Sequence, residues 1–178
     1  MGAVAAKKSF TDNLRGAVEG QSRALLGGDI ALRARTTPDS AFRSLLDSVT
    51  QAAGAHLPED RSEVTSFAGM AYVPRTSGTR MVRVSAINGG YPFYGVVRTE
   101  PSGAWPKLSS GQIALVDPSF LTVLSARIGD TMSLGESHFV IAGTVTSFPG
   151  DVGIRSAFGP RVYIPGSKPS HGGASGST

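Results

Sequence analysis

The stretch that most restricts the possible folds is "IALVDPSFLTVLSARIGDTMSLGESHFVIAGTV", residues 113 to 145. Its first residues, "IALV", have the length and content of a short buried strand. Asp117 then stands where a helix N-cap belongs, with Pro118 at the first helical position, where its missing N–H costs nothing. Gly129 is the expected stop of that helix, since glycine turns left-handed without a Cβ penalty. "DTMSLG" and "SHFVIAGTV" read as two strands joined by a tight turn around Gly135. Gly143, inside the second strand, marks a bulge or a close packing contact. The block is ordered throughout and holds no obvious reactive group. It carries shape.

The rest of the chain supplies elements of both kinds. Phe10, Leu14, Ala17, Val18 and Leu25 follow helical spacing up to Gly27-Gly28, and "DIALRAR" (29 to 35) alternates as a half-buried strand. A second helix is expected with Thr37 as N-cap and Pro38 first. Its apolar stripe is Phe42, Leu45, Leu46, Val49 and Ala53. "EVTSFAGMAYV" (63 to 73) and "RMVRVSAI" (80 to 87) flank the turn cluster "PRTSGT" and predict an antiparallel hairpin. "RVYIP" reads as a last strand. The plan is α+β, a mixed β-α-β layer with an inserted β-rich subdomain. The layer is expected over residues 9–75 with 148–165, and the β-rich subdomain over 76–147. Residues 1–8 read as the end of a membrane helix or a cloning start, and 166–178 as a flexible linker or tag.

Composition bounds the chemistry. The chain has no cysteine, which excludes disulfides and thiolate metal sites. Its net charge is +4, but the basic residues are scattered instead of forming the basic face of a nucleic-acid binder. No nucleic-acid partner is expected. His56, His138 and His171 stand at no metal-ligand spacing. There is no G-x-S-x-G elbow, no S-x-x-K and no phosphate loop, and the glycines of "LLGGDI" follow a helix where a phosphate loop would precede one. The carboxylates are dispersed. An enzyme is therefore not expected, nor are a catalytic residue, a cofactor or a metal.

One stretch invites a binding role. Tyr91, Phe93, Tyr94 and Trp105 lie among prolines and glycines between the hairpin and the "IALV" strand. Aromatics in such a loop form a contact surface for a partner or an apolar ligand, or they plug the seam between two subdomains. Both readings stay open at the level of sequence.

Taken in order, "LLGGDIALRA", "RMVRVSAINGGYPFYG", "IALVDPSFLTVLSARIGDTMSLGESHFVIAGTVTS" and "GPRVYIP" resemble the extracytoplasmic (periplasmic core) domain of MacB/FtsX-like ABC transporter permeases. The resemblance spans roughly residues 5 to 165, and the third segment is its most specific part. It looks closest to the permeases of the predicted lysophospholipase-associated type. It implies a domain inserted between the first two membrane helices of a permease in the cell inner membrane, on the extracytoplasmic side. It implies as partners an ABC nucleotide-binding subunit reached through the membrane part and a permease dimer mate. An extracytoplasmic partner or an apolar cargo would be a further one. The implied role is coupling of cytoplasmic ATP hydrolysis to transport or mechanotransmission, with lipid, lipoprotein, peptide or drug as cargo. The alternative is a stand-alone secreted binding module for an apolar or acidic ligand.

Overall fold

The computed structural model describes residues 39–52, 54, 60–149 and 159–166. The helix expected before Gly27, the strand at 29 to 35, Thr37 and Pro38 lie outside the described residues, as do residues 1–8 and 167–178. The chain divides into two compact units. One comprises Met1–Arg61, Gly90–Val97 and Ser147–Ile154; the other comprises Ser62–Gly89, Arg98–Thr146 and Arg155–Thr178.

In the first unit, helix α1 runs Ser40–Ala52. Asp39 caps it, its Oδ1 accepting from the Phe42 N–H at 2.8 Å and satisfying one of the donors a helix start leaves open. Phe42, Leu45, Leu46 and Val49 of the expected stripe are helical, but Leu45 and Val49 stay exposed, and Ala53 lies outside the described residues.

The second unit is a seven-stranded mixed sheet in the order β3-β6-β4-β7-β2-β1-β5, with β5 pairing again with β6. The strands are β1 Glu63–Val73, β2 Gly78–Asn88, β3 Arg98–Glu100, β4 Ile113–Val116, β5 Thr131–Leu134, β6 Ser137–Ser147 and β7 Arg161–Pro165. The second β5 contact closes β6, β4, β7, β2, β1 and β5 into a six-stranded barrel, with β3 added outside the ring along β6. Closure leaves few unpaired edges. The β1–β2 hairpin has the expected antiparallel register, Phe67 opposite Val84 and Met70 opposite Met81. Residue 76 lies in the turn of this hairpin. The parallel pairs are β2–β7 and β4–β6.

Alternation along the strands fills the interior. Val82, Val84, Ala71, Val73, Met132, Ile141, Ala114, Val116 and Val162 are fully buried in one cluster. β-branched and small side chains suit the narrow lumen of a small barrel. Helix α2, Pro118–Leu124, adds Phe120 and Leu124 from one face, four residues apart.

Asp117 is the N-cap as expected, its side chain accepting from the Ser119 N–H at 2.8 Å. The C-terminus differs from the sequence reading. The helix stops at Leu124, with Ser125 left-handed at φ +50°, and not at Gly129. Ala126 N–H bonds to Leu121 O and Ser125 N–H to Thr122 O, the pair of bonds that makes a Schellman closure. Burial of Ala126 draws the chain inward at that point. Gly129, at φ +96°, serves the turn into β5 instead.

Gly143 meets both of its expectations. The β4–β6 register passes from Ala114↔Ile141 to Leu115↔Gly143, so Ala142 is the extra residue of a bulge. A Cβ on Gly143 would stand 2.6 Å from the Glu100 carbonyl oxygen. Only glycine lets the chain carrying β3 approach this closely. Outside the barrel, a 3-10 segment, Trp105–Ser110, buries Leu108.

Candidate functional site

The four aromatic positions divide between the two units. Tyr91, Phe93 and Tyr94 fall in the first unit, and Trp105 in the second. Tyr91 contacts Phe148 with ring centroids 5.8 Å apart, and Phe93 is 40% exposed. Trp105 sets its ring edge-on to Tyr163, at 5.5 Å and 74°, and Tyr163 is buried. Prolines shape both ends of the stretch, with cis bonds at Tyr91-Pro92 and Glu100-Pro101. The aromatic partners Phe148 and Tyr163 were not singled out from sequence. Tyr163 was legible only as part of a strand, because its alternation puts it on the outer face, where the 3-10 segment covers it.

Chemistry-bearing groups are engaged in structure. His138 is exposed on β6, its Nδ1 2.9 Å from Ser133 Oγ of the opposite β5 residue. His56 and His171 lie outside the described residues. Among the described residues no three His, Asp or Glu side chains are grouped to hold a metal ion.

Asp130, which follows Gly129, ties three segments together. Its oxygens accept from Arg75 Nε at 2.8 and 2.9 Å, and from the Arg127 N–H at 2.7 Å. Arg75, in the β1–β2 turn, also donates from Nη2 to the Ser125 carbonyl at 2.6 Å. One guanidinium thus holds the hairpin turn, the end of α2 and the entry to β5. A fork of this kind is orientationally specific.

The hydrogen bond from Arg75, seconded by the Arg127 N–H, holds the Asp130 carboxyl below its ordinary range. A depressed folded value means the clasp stabilises the fold above the unfolded carboxylate value, about 3.9, and that this contribution is lost as pH falls through the folded value. Asp130→Asn should therefore lower the melting temperature at pH 7. The gap to the parent should close as pH is lowered below about 4. Melting curves from pH 7 to pH 2 check this, and a gap constant with pH would contradict it.

The sequence reading missed a surface on the barrel wall. Residues of β1, β2, β5 and β6 that alternate with the buried ones face outward, and several are large and apolar. Met70 is 51% exposed, Met81 57%, Tyr72 41% and Val140 44%. In "EVTSFAGMAYV" apolar residues occupy both parities, so alternation alone could not tell wall from lumen.

No protein-family model matches the chain. Among curated proteins it is 28% identical over 146 residues to the uncharacterized ABC transporter permease YbbP of Escherichia coli (strain K12). The alignment covers 82% of this chain and 16% of that relative, so the chain spans about a sixth of the relative's length. Among solved structures it is similar to the periplasmic region of MacB from Actinobacillus actinomycetemcomitans. That likeness has 14% identity and a TM-score of 0.41, covering 67% of this chain and 54% of that one. The α+β class rests on the helices and the mixed sheet themselves. The resemblance drawn from the motifs is met in a curated relative: the chain is similar, across 82% of its length, to an ABC transporter permease, as the MacB/FtsX-like segments implied.

Proposed function

We propose that this chain is the extracytoplasmic domain of an ABC transporter permease subunit and that its work is mechanical. The observation that carries the reading is the likeness to YbbP over most of the chain. ATP hydrolysed by a nucleotide-binding subunit in the cytoplasm moves the membrane helices. This domain passes the movement on outside the inner membrane, to a dimer mate, an extracytoplasmic partner or a cargo such as lipid, lipoprotein, peptide or drug. A closed, hydrogen-bonded and tightly filled barrel supports such a role, because a close-packed interior transmits displacement and does not absorb it. No cofactor enters. Tyr91, Phe93 and Tyr94, with Trp105, are the proposed partner or ligand contacts, Phe93 being the most open of the four.

Val96, 76% exposed beside this aromatic stretch, offers the test. In the full-length permease, freed of other accessible thiols, Val96→Cys should react with a membrane-impermeant maleimide in cells whose inner membrane is intact. Its rate should change when the nucleotide-binding subunit is made unable to hydrolyse ATP. Reaction only after the inner membrane is broken would overturn the placement. An unchanged rate would overturn the coupling.

A further inference from the structure

Strand β1 is paired along its whole length on one side only. Its register with β2 runs unbroken from Glu63↔Asn88 to Val73↔Gly78. On the other side β5 reaches it at Ala71 and Tyr72 alone. Among the described residues no strand lies along residues 63–70 on that side. Both faces of the run are open as well, since Glu63 through Ala68 are exposed without alternation. Across the hairpin Val84 and Ile87 of β2 are buried, so the exposure follows the open edge and not the hairpin as a whole.

An open edge offers the N–H and C=O of every second residue, and another strand is what satisfies a row of such groups. Edges kept clear of partners carry a charge, a proline or a bulge. The run "VTSFAGM" (64 to 70) has none of the three. Its side chains identify the strand that fits. Opposed residues of an antiparallel pair turn their backbone groups the same way, so a strand pairing with its own copy must centre on a residue and not between two. Two centres cover the run. Centred on Ser66, the pairing would set Phe67 against Thr65 and Val64 against Ala68. Centred on Phe67, it sets Phe67 against Phe67 and Val64 against Met70. These three are the large exposed apolar side chains of the run, and each gains an apolar neighbour on its own face. The pairing ends at Met70, where β5 takes the edge, and leaves Glu63, the strand's one charge, outside it. No like charges meet. The spacing 64, 67, 70 is its own complement, which is the condition an isologous contact imposes.

We propose that β1 pairs edge to edge with β1 of a second copy of this chain, antiparallel and centred on Phe67. The inference rests on strand register and exposure and not on the permease reading.

The full 178-residue chain has no cysteine, so single introduced thiols report position without interference. Under copper(II) phenanthroline, Phe67→Cys should form a disulfide-linked dimer, because the two-fold sets position 67 against itself at about 5 Å between Cβ atoms. Val64→Cys and Met70→Cys should link to each other when mixed and far less when alone. Val123→Cys, 49% exposed on α2, measures random collision and should link about tenfold more slowly than Phe67→Cys. In sedimentation velocity the parent should show a monomer–dimer equilibrium. Phe67→Lys and Phe67→Glu should each be monomeric, and their mixture should dimerise again. Val64→Lys mixed with Met70→Glu repeats this test on the other face if the changes at 67 lower the melting temperature. A parent that is monomeric at every concentration, or a dimer indifferent to lysine at both 64 and 67, would overturn the proposal. So would linking at 67 no faster than at 123, or assemblies larger than a dimer.

Discussion

Phe120→Ala should cost the domain about 3–5 kcal/mol, the usual range for emptying a buried aromatic site. Phe120 is fully buried and belongs to the same cluster as Val82, Val116 and Val162. It reaches that cluster from a helix of seven residues, too short to be stable by its own propensity. Asp117 supplies a cap worth about 1 kcal/mol, so most of what holds α2 in place is the burial of Phe120 and Leu124. The loss would be a large part of a total stability of about 5–15 kcal/mol. Val123→Ala, on the exposed face of the same helix, should stay within about 0.5 kcal/mol. Urea midpoints for the two variants separate the effects. A loss below about 1 kcal/mol for Phe120→Ala would mean that α2 does not close the core.

Local elements were legible because their determinants are local. The Asp117-Pro118 pair needs only its own residues to start a helix, and the hairpin at 63 to 88 needs a turn cluster between two runs of β-formers. What stayed hidden is non-local. β5 is four residues long, and nothing in "TMSL" says that it pairs with both β1 and β6. That double pairing is what turns a sheet into a barrel, and once it forms, every outward position becomes wall. The end of α2 was misplaced for a different reason. Serine occupies the left-handed position, at a cost that glycine would have avoided, so the glycine signal pointed four residues too far.

The aromatic stretch was legible as unusual and no further. Its prolines and glycines announce irregular backbone, but ring partners are set by the fold. Tyr91 finds Phe148 across a long stretch of sequence, and Trp105 finds Tyr163 on the last strand of the barrel. The clasp between Arg75 and Asp130 was half visible. An aspartate flanking a turn commonly stabilises its backbone, and Asp130 does so through its bond to the Arg127 N–H. The guanidinium comes from a residue 55 positions away, and no local pattern marks it.

Trp105→Ala should destabilise the domain by about 2–4 kcal/mol, somewhat less than a fully buried tryptophan would cost because the ring is only half-buried. Two effects add. Truncation removes the edge-to-face contact with Tyr163, a geometry worth about 0.5–1.5 kcal/mol beyond area. It also uncovers the outer side of β4 and β7, where Leu115 and Tyr163 are buried. Trp105→Phe keeps an aromatic edge and most of the cover, so its loss should stay below about 1.5 kcal/mol. If Trp105 were chiefly a partner or ligand contact, the alanine variant would melt as the parent does, and under the proposed function the full-length protein would lose transport or signalling. Melting temperature and cellular activity measured on both variants decide between these roles. Collapse of stability in the alanine variant with near-recovery in the phenylalanine variant assigns Trp105 to packing. The contact role would then pass to Tyr91, Phe93 and Tyr94, whose unit does not include the barrel.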